Sequence, residues 1–182
     1  TMATVDEASR IEWTSPDNAK VSDGVYATSF PGPDIDVNTE KLYASNFGFA
    51  IPTGATIDGI KVEVEKKAQY NSGTRHAHDL NVFIVKADGT YGSEDKADTV
   101  TLWPLTDTYK SYGGATDKWS ESWTEANIED SDFGVVFSAV ANSDRNITLS
   151  IDHIQITVYY TEQVLPATLA VSGTAVPTIT EA

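Results

Sequence analysis

The sequence predicts an all-β fold, a two-sheet antiparallel sandwich of jelly-roll type with an extended C-terminal tail. Apolar and polar residues alternate with a period of two through several segments, turn residues separate those segments, and helical periodicity is nearly absent. About eight strands at this spacing, with no alternation of strand and helix, fit two packed antiparallel sheets. No repeat of about 20 to 50 residues is visible, which argues against a propeller or a solenoid.

The clearest strand is Ile57 to Ala68. Ile60, Val62 and Val64 fall on one side and Lys61, Glu63 and Glu65 on the other, because side chains alternate across a strand. Asp79 to Ala87 places Leu80, Val82 and Ile84 on one face and Phe83 and Val85 on the other, the pattern of a strand covered on both sides. It runs into Asp88-Gly89, a hairpin signal, since both residues tolerate positive φ. Phe133 to Val140 alternates Phe133, Val135 and Phe137. In Asn146 to Thr161 the residues Ile147, Leu149 and Ile151 are in phase, and so are Ile154, Ile156 and Val158, but the two sets differ by one position. That slip reverses the buried face, so a β-bulge or bend is expected near His153. Shorter strands are expected at Gly24 to Ser29, Leu42 to Ala50, Ala97 to Trp103 and Tyr109 to Tyr112. A single helical turn is expected at Trp123 to Asn127, with Thr124 as N-cap.

The 182 residues, 40% of them hydrophobic, suffice for one well-buried core, since a domain of this size hides roughly 70% of its unfolded surface. Residues 1–161 are read as the sandwich and 162–182 as an extended tail or linker arm, because the latter segment has no aromatic residue and only acidic charge. Within the tail, Leu165, Leu169, Val171, Val176 and Ile179 are spaced to add a strand to a neighbour's sheet edge, although the same composition suits a linker. There are no cysteines, so disulfides, thiolate metal sites and a cysteine nucleophile are excluded. Lys plus Arg number 12 against 27 Asp plus Glu, a net charge of −15 that repels nucleic acid and anionic membranes. No apolar run approaches the roughly 18 residues of a membrane-spanning helix.

The search for chemistry points away from catalysis. No G-x-S-x-G elbow occurs, only His76, His78 and His153 offer an imidazole, and no pair of carboxylates stands out among 27 acids. His76 and His78 share one side of an extended segment, but a third zinc ligand is not evident. Asp34-Ile35-Asp36-Val37-Asn38 opens like a calcium loop, yet Thr39 and Ser45 stand where an EF-hand needs glycine and glutamate. Asp34, Asp36, Asp130 and Asp132 remain candidate calcium donors from separate loops, with solvated turns as the commoner reading of such residues. Four tryptophans and eight tyrosines are the best argument for recognition, since flat rings stack on sugars and anchor interfaces. Trp103, Trp119 and Trp123 are the candidate glycan-stacking residues; the alternative is that they plug the ends of the sandwich.

The blocks WTSPDNAKVSDGVYAT, NFGFAIPTGATIDGIKVEVEKKA, YGGATDKWSESWTEANIEDSDFGVVF and IDHIQITVYYT together resemble uncharacterised structural proteins of bacteriophages and prophages, over about Trp13 to Thr161. The resemblance implies a jelly-roll-like module displayed on a virion surface, as a capsid decoration protein or a fibre component. It implies a major capsid protein or other virion proteins as partners, and homo-oligomeric contacts. It brings no catalytic residue. The second expectation is an extracellular or fibre-borne carbohydrate-binding module.

Overall fold

Alternation along a strand leaves one apolar face that a second sheet must cover. The computed structural model, which describes residues 1–5, 10–32, 37–70, 76–142 and 146–163, pairs the strands into two antiparallel sheets. In chain order the strands are β1 (Met2–Val5), β2 (Ala27–Ser29), β3 (Val37–Asn38), β4 (Lys41–Ser45), β5 (Thr56–Tyr70), β6 (His76–Val85), β7 (Thr108–Gly113), β8 (Gly134–Asn142) and β9 (Ile147–Thr161), with a helical turn α1 at Glu125–Glu129. In the five-stranded sheet β8 is central: β6 pairs along one side, β3 and β4 share the other, and β1 extends from β4. The four-stranded sheet runs β2, β9, β5, β7.

Between the sheets, Ile60, Val62 and Val64 of β5 and Leu149, Ile151, Ile154 and Ile156 of β9 meet Leu42, Val82, Ile84, Val135 and Phe137 in one core. The expected slip in β9 is present as a bulge. His153 pairs with Glu65 and Ile151 with Lys66, so Asp152 is left over between them. The extra residue is used: the buried Asp152 carboxylate accepts hydrogen bonds from the Gly24 amide at 3.1 Å, holding the loop that precedes β2. A second bulge in β6 was not expected. Asp79 pairs with Ala139 and Asn81 with Ser138, leaving Leu80 over. Ala77 and Asp79 therefore point inward before the bulge and Val82 and Ile84 after it, while Leu80 is half-buried instead of joining the core face.

Local chemistry explains the other departures from expectation. β4 stops at Ser45, short of Ala50, because Asn46 and Gly48 take positive φ (55° and 74°) and turn the chain out of the sheet. Asp88-Gly89 does close a hairpin, with Gly89 at φ 75° and a bridge from Val85 to Tyr91. Residues 97–103 are not a regular strand. Residues 92–103 instead form a strap along the free edge of β6: Gly92, Lys96 and Trp103 amides donate to Ile84, Val82 and Ala77 carbonyls at 2.8, 2.9 and 2.8 Å. The Asp95 carboxylate accepts the Val82 amide at 2.8 Å where a partner strand would offer a carbonyl. α1 carries the expected Thr124 N-cap, completed as a capping box with Asn127.

Gly134, at the start of β8, faces the β4 backbone so closely that an added Cβ would lie 2.0 Å from the Ala44 carbonyl oxygen. Backbone cannot move aside as a side chain can. Gly134→Ala is expected to lower stability by about 2–3 kcal/mol, read as a reduced urea midpoint at unchanged slope.

Candidate functional site

Two features stand out: a polar cluster buried between the sheets and the cleft above it. Lys66 occupies a core-facing position of β5, in phase with Val62 and Val64, and is 4% exposed. Its ammonium contacts the Asp79 carboxylate, which is 1% exposed and reaches it from β6 in the opposite sheet. Tyr112 of β7 lies between them: its hydroxyl accepts from Lys66 Nζ at 2.7 Å and donates to Asp79 Oδ2 at 2.7 Å. Trp103 Nε1 donates to Asp79 Oδ1 at 2.9 Å and the Asp98 amide to Oδ2 at 3.2 Å. The rings of Trp103, Phe137 and Tyr112 stand 5.0, 5.2 and 5.4 Å from Lys66 Nζ. Burial pushes the Lys66 pKa below its ordinary value, against the opposing pull of Asp79. Burial, reinforced by the Asp79 charge, pushes the Tyr112 phenol well above its own.

The cluster is the floor of a cleft of about 210 Å³, walled by Thr101, Leu102, Pro104, Thr108 and Tyr109 and crossed by an Asp98–Lys110 ion pair at 2.5 Å. The Lys110 ammonium and the Thr101 amide hold the Asp98 carboxyl well below the usual carboxylate range. Around the cleft the strap and the chain that runs on into β7 turn apolar side chains outward: Val100 is 84% exposed, Leu102 55%, Leu105 57% and Tyr109 40%. Tyr109 continues onto the outer face of the four-stranded sheet, where its hydroxyl meets His153 Nδ1 at 2.9 Å.

The structure disperses the tryptophans named from sequence. Trp103 is 5% exposed and belongs to the Asp79 cluster, and Trp119 is fully buried with Nε1 donating to the Ile60 carbonyl at 3.0 Å. Neither offers a ring face to a sugar, which corrects their reading as stacking platforms. Both fill the body of the sandwich. Trp123 is half-buried, edge-on to Phe133 at 5.4 Å, beside a shallow cleft shared with Lys86, Asp88 and Asn127. Asp130 and Asp132 are exposed and form a local turn, with the Asp132 amide on Asp130 Oδ1 at 2.9 Å. Asp34 and Asp36, and the tail residues Leu165, Leu169, Val171, Val176 and Ile179, lie outside the described residues. His76 and His78 are both half-buried on β6, and among the described residues no group of three His, Cys, Asp or Glu could hold a metal ion.

An aromatic surface that the sequence reading did not single out lies on the outer face of the five-stranded sheet. Tyr43, Val136 and Phe83 line up across β4, β8 and β6. Tyr91, just past the Asp88-Gly89 hairpin, stacks on Phe83 with centroids 6.0 Å apart and planes within 12°, and Lys41 Nζ stands 5.4 Å from the Tyr91 ring. Beside them Asn81 bonds Ser138 and Asp95 at 3.2 and 2.9 Å. The usable signal for the cluster and for this surface was phase: Lys66 falls in step with apolar residues, and Phe83 out of step with them.

Removing one partner of a buried pair strands the other. Asp79→Ala is expected to lower stability by about 3–5 kcal/mol, and the double variant Lys66→Met with Asp79→Leu to be more stable than Asp79→Ala alone, both measured by urea unfolding.

No protein-family model and no curated protein matches the chain. Among solved structures, one described as "CBM4 structure and function" is similar with a TM-score of 0.42 and 12% identity, over 76% of this chain and 87% of that one.

Proposed function

We propose that the chain is a structural protein of a bacteriophage virion, a capsid decoration or fibre component displayed at the particle surface, which acts by protein–protein assembly and not by catalysis. The observation that carries this reading is the exposed apolar row Val100, Leu102, Leu105 and Tyr109 around the cleft. Exposed apolar side chains grouped along one stretch of surface mark a contact site. A cleft of about 210 Å³ falls below the roughly 300–1,000 Å³ of drug-sized ligand sites. It suits a side chain or two projecting from a protein. The whole chain carries −15, so the partner is a virion protein apolar at the centre of its contact and basic at its rim. The resemblance of the sequence blocks to phage structural proteins supports the setting.

Val100→Asp with Leu102→Asp changes only exposed positions. The pair is expected to leave folding intact and to weaken co-sedimentation with particles of the encoding phage at least tenfold. Undiminished binding, or absence of the chain from purified particles by mass spectrometry, contradicts the reading.

Glycan binding is a second reading, favoured by the Tyr91–Phe83 pair with Lys41, Asn81 and Asp95 alongside, since an aromatic face bordered by polar groups is what a sugar ring needs. Here Tyr91→Ala is expected to abolish binding on a glycan array while circular dichroism stays unchanged. An array on which the native chain binds nothing rejects it.

A further inference from the structure

We propose that Lys66 and Asp79 condense into an intramolecular isopeptide bond that joins the two sheets covalently. The contact is a built reaction site more than a simple ion pair. The nucleophile and the carboxyl are 4% and 1% exposed and already touch, and groups held in such contact reach effective molarities of roughly 10⁵–10⁸ M. Trp103, Phe137 and Tyr112 surround the amine and restrict water, which would otherwise favour the hydrolysed pair. Two opposite charges in such a site carry a desolvation penalty that a neutral amide does not. Burial favours the neutral amine, the form that attacks.

Each remaining neighbour sits where the reaction needs it. Through the Tyr112 hydroxyl, which accepts from Nζ and donates to Oδ2, the ammonium passes one proton to Asp79 Oδ2, giving a neutral amine and a carboxylic acid. The Nζ lone pair then forms a bond to Cγ while Trp103 Nε1–H stabilises charge developing on Oδ1, to which it already donates at 2.9 Å. Tyr112 takes the second proton from nitrogen and delivers one to Oδ2, since its hydroxyl lies 2.7 Å from both atoms. The Cγ–Oδ2 bond breaks, Oδ2 leaves as water through the cleft above, and Oδ1 remains as the amide oxygen. No oxidant, metal or cofactor enters the balance.

The test is the intact mass of the full chain. The native protein is expected to be lighter than its sequence by one water, to resist tryptic cleavage after Lys66, and to yield a branched peptide joined through Lys66 and Asp79. Lys66→Met is expected to restore the full sequence mass, and Tyr112→Phe to slow formation of the lighter species at least tenfold. An unchanged native mass overturns the proposal. So does a water loss that persists in Lys66→Met or maps to Asp23-Gly24, Asp58-Gly59 or Asp88-Gly89, where aspartate can cyclise on its own. If Lys66→Met does not fold, the branched peptide of the native chain decides alone: present, it supports the bond; absent, it overturns it.

Discussion

The contact between Lys66 and Asp79 is the constraint around which this sandwich is arranged. A cation and a carboxylate at the interface of two sheets are tolerable only if each remaining proton and lone pair finds a partner. Meeting that demand recruits Tyr112 from β7, Trp103 from the strap and the Asp98 amide. One polar contact thus fixes how the sheets meet on this side and where the strap crosses. The apolar side chains that fill most of the space between the sheets set no such geometry, because dispersion and burial are nondirectional. In a chain without cysteine, no disulfide can specify the registry between sheets, and directional bonding at Lys66 and Asp79 serves that purpose.

The architecture was legible because its long strands obey the period of two with few exceptions. β5 and β9 declare a buried face over most of their length, and even the β9 bulge is visible as the change of phase between Ile151 and Ile154. β6 was misread at Leu80, since an aspartate at an inward position looks like a strand end to a rule that places charges outside. The same rule hid Lys66. Both residues break the local pattern, and each break makes sense only with the other, which lies in the opposing sheet. β1 and β3 are too short for a period to register. The tryptophans illustrate the complementary limit: composition shows that large rings are present, while burial depends on contacts between segments distant in sequence, such as Trp119 with Ile60.

The described surface divides by chemistry. One flank, around Val100, Leu102, Leu105 and Tyr109, is apolar and irregular, formed largely by a connection that bonds to the β6 edge through its Gly92, Lys96 and Trp103 amides and leads into β7. The broad outer face of the five-stranded sheet is aromatic and polar, flat in its backbone and fixed by cross-strand register. A connection can vary its side chains without disturbing the ladder, whereas each position on the sheet face is tied to neighbours on both sides. The two surfaces therefore differ in how freely their contacts can be altered while the sandwich persists.

The strap along β6 also bears on how copies of this chain can coexist at high density. An unpaired strand edge is a template for another chain, and identical proteins held close together are the condition under which such templates join into continuous sheets. With the Ile84, Val82 and Ala77 carbonyls and the Val82 amide already occupied, an incoming strand finds no complementary ladder there. Neighbours meeting this flank touch side chains and find no strand edge to extend.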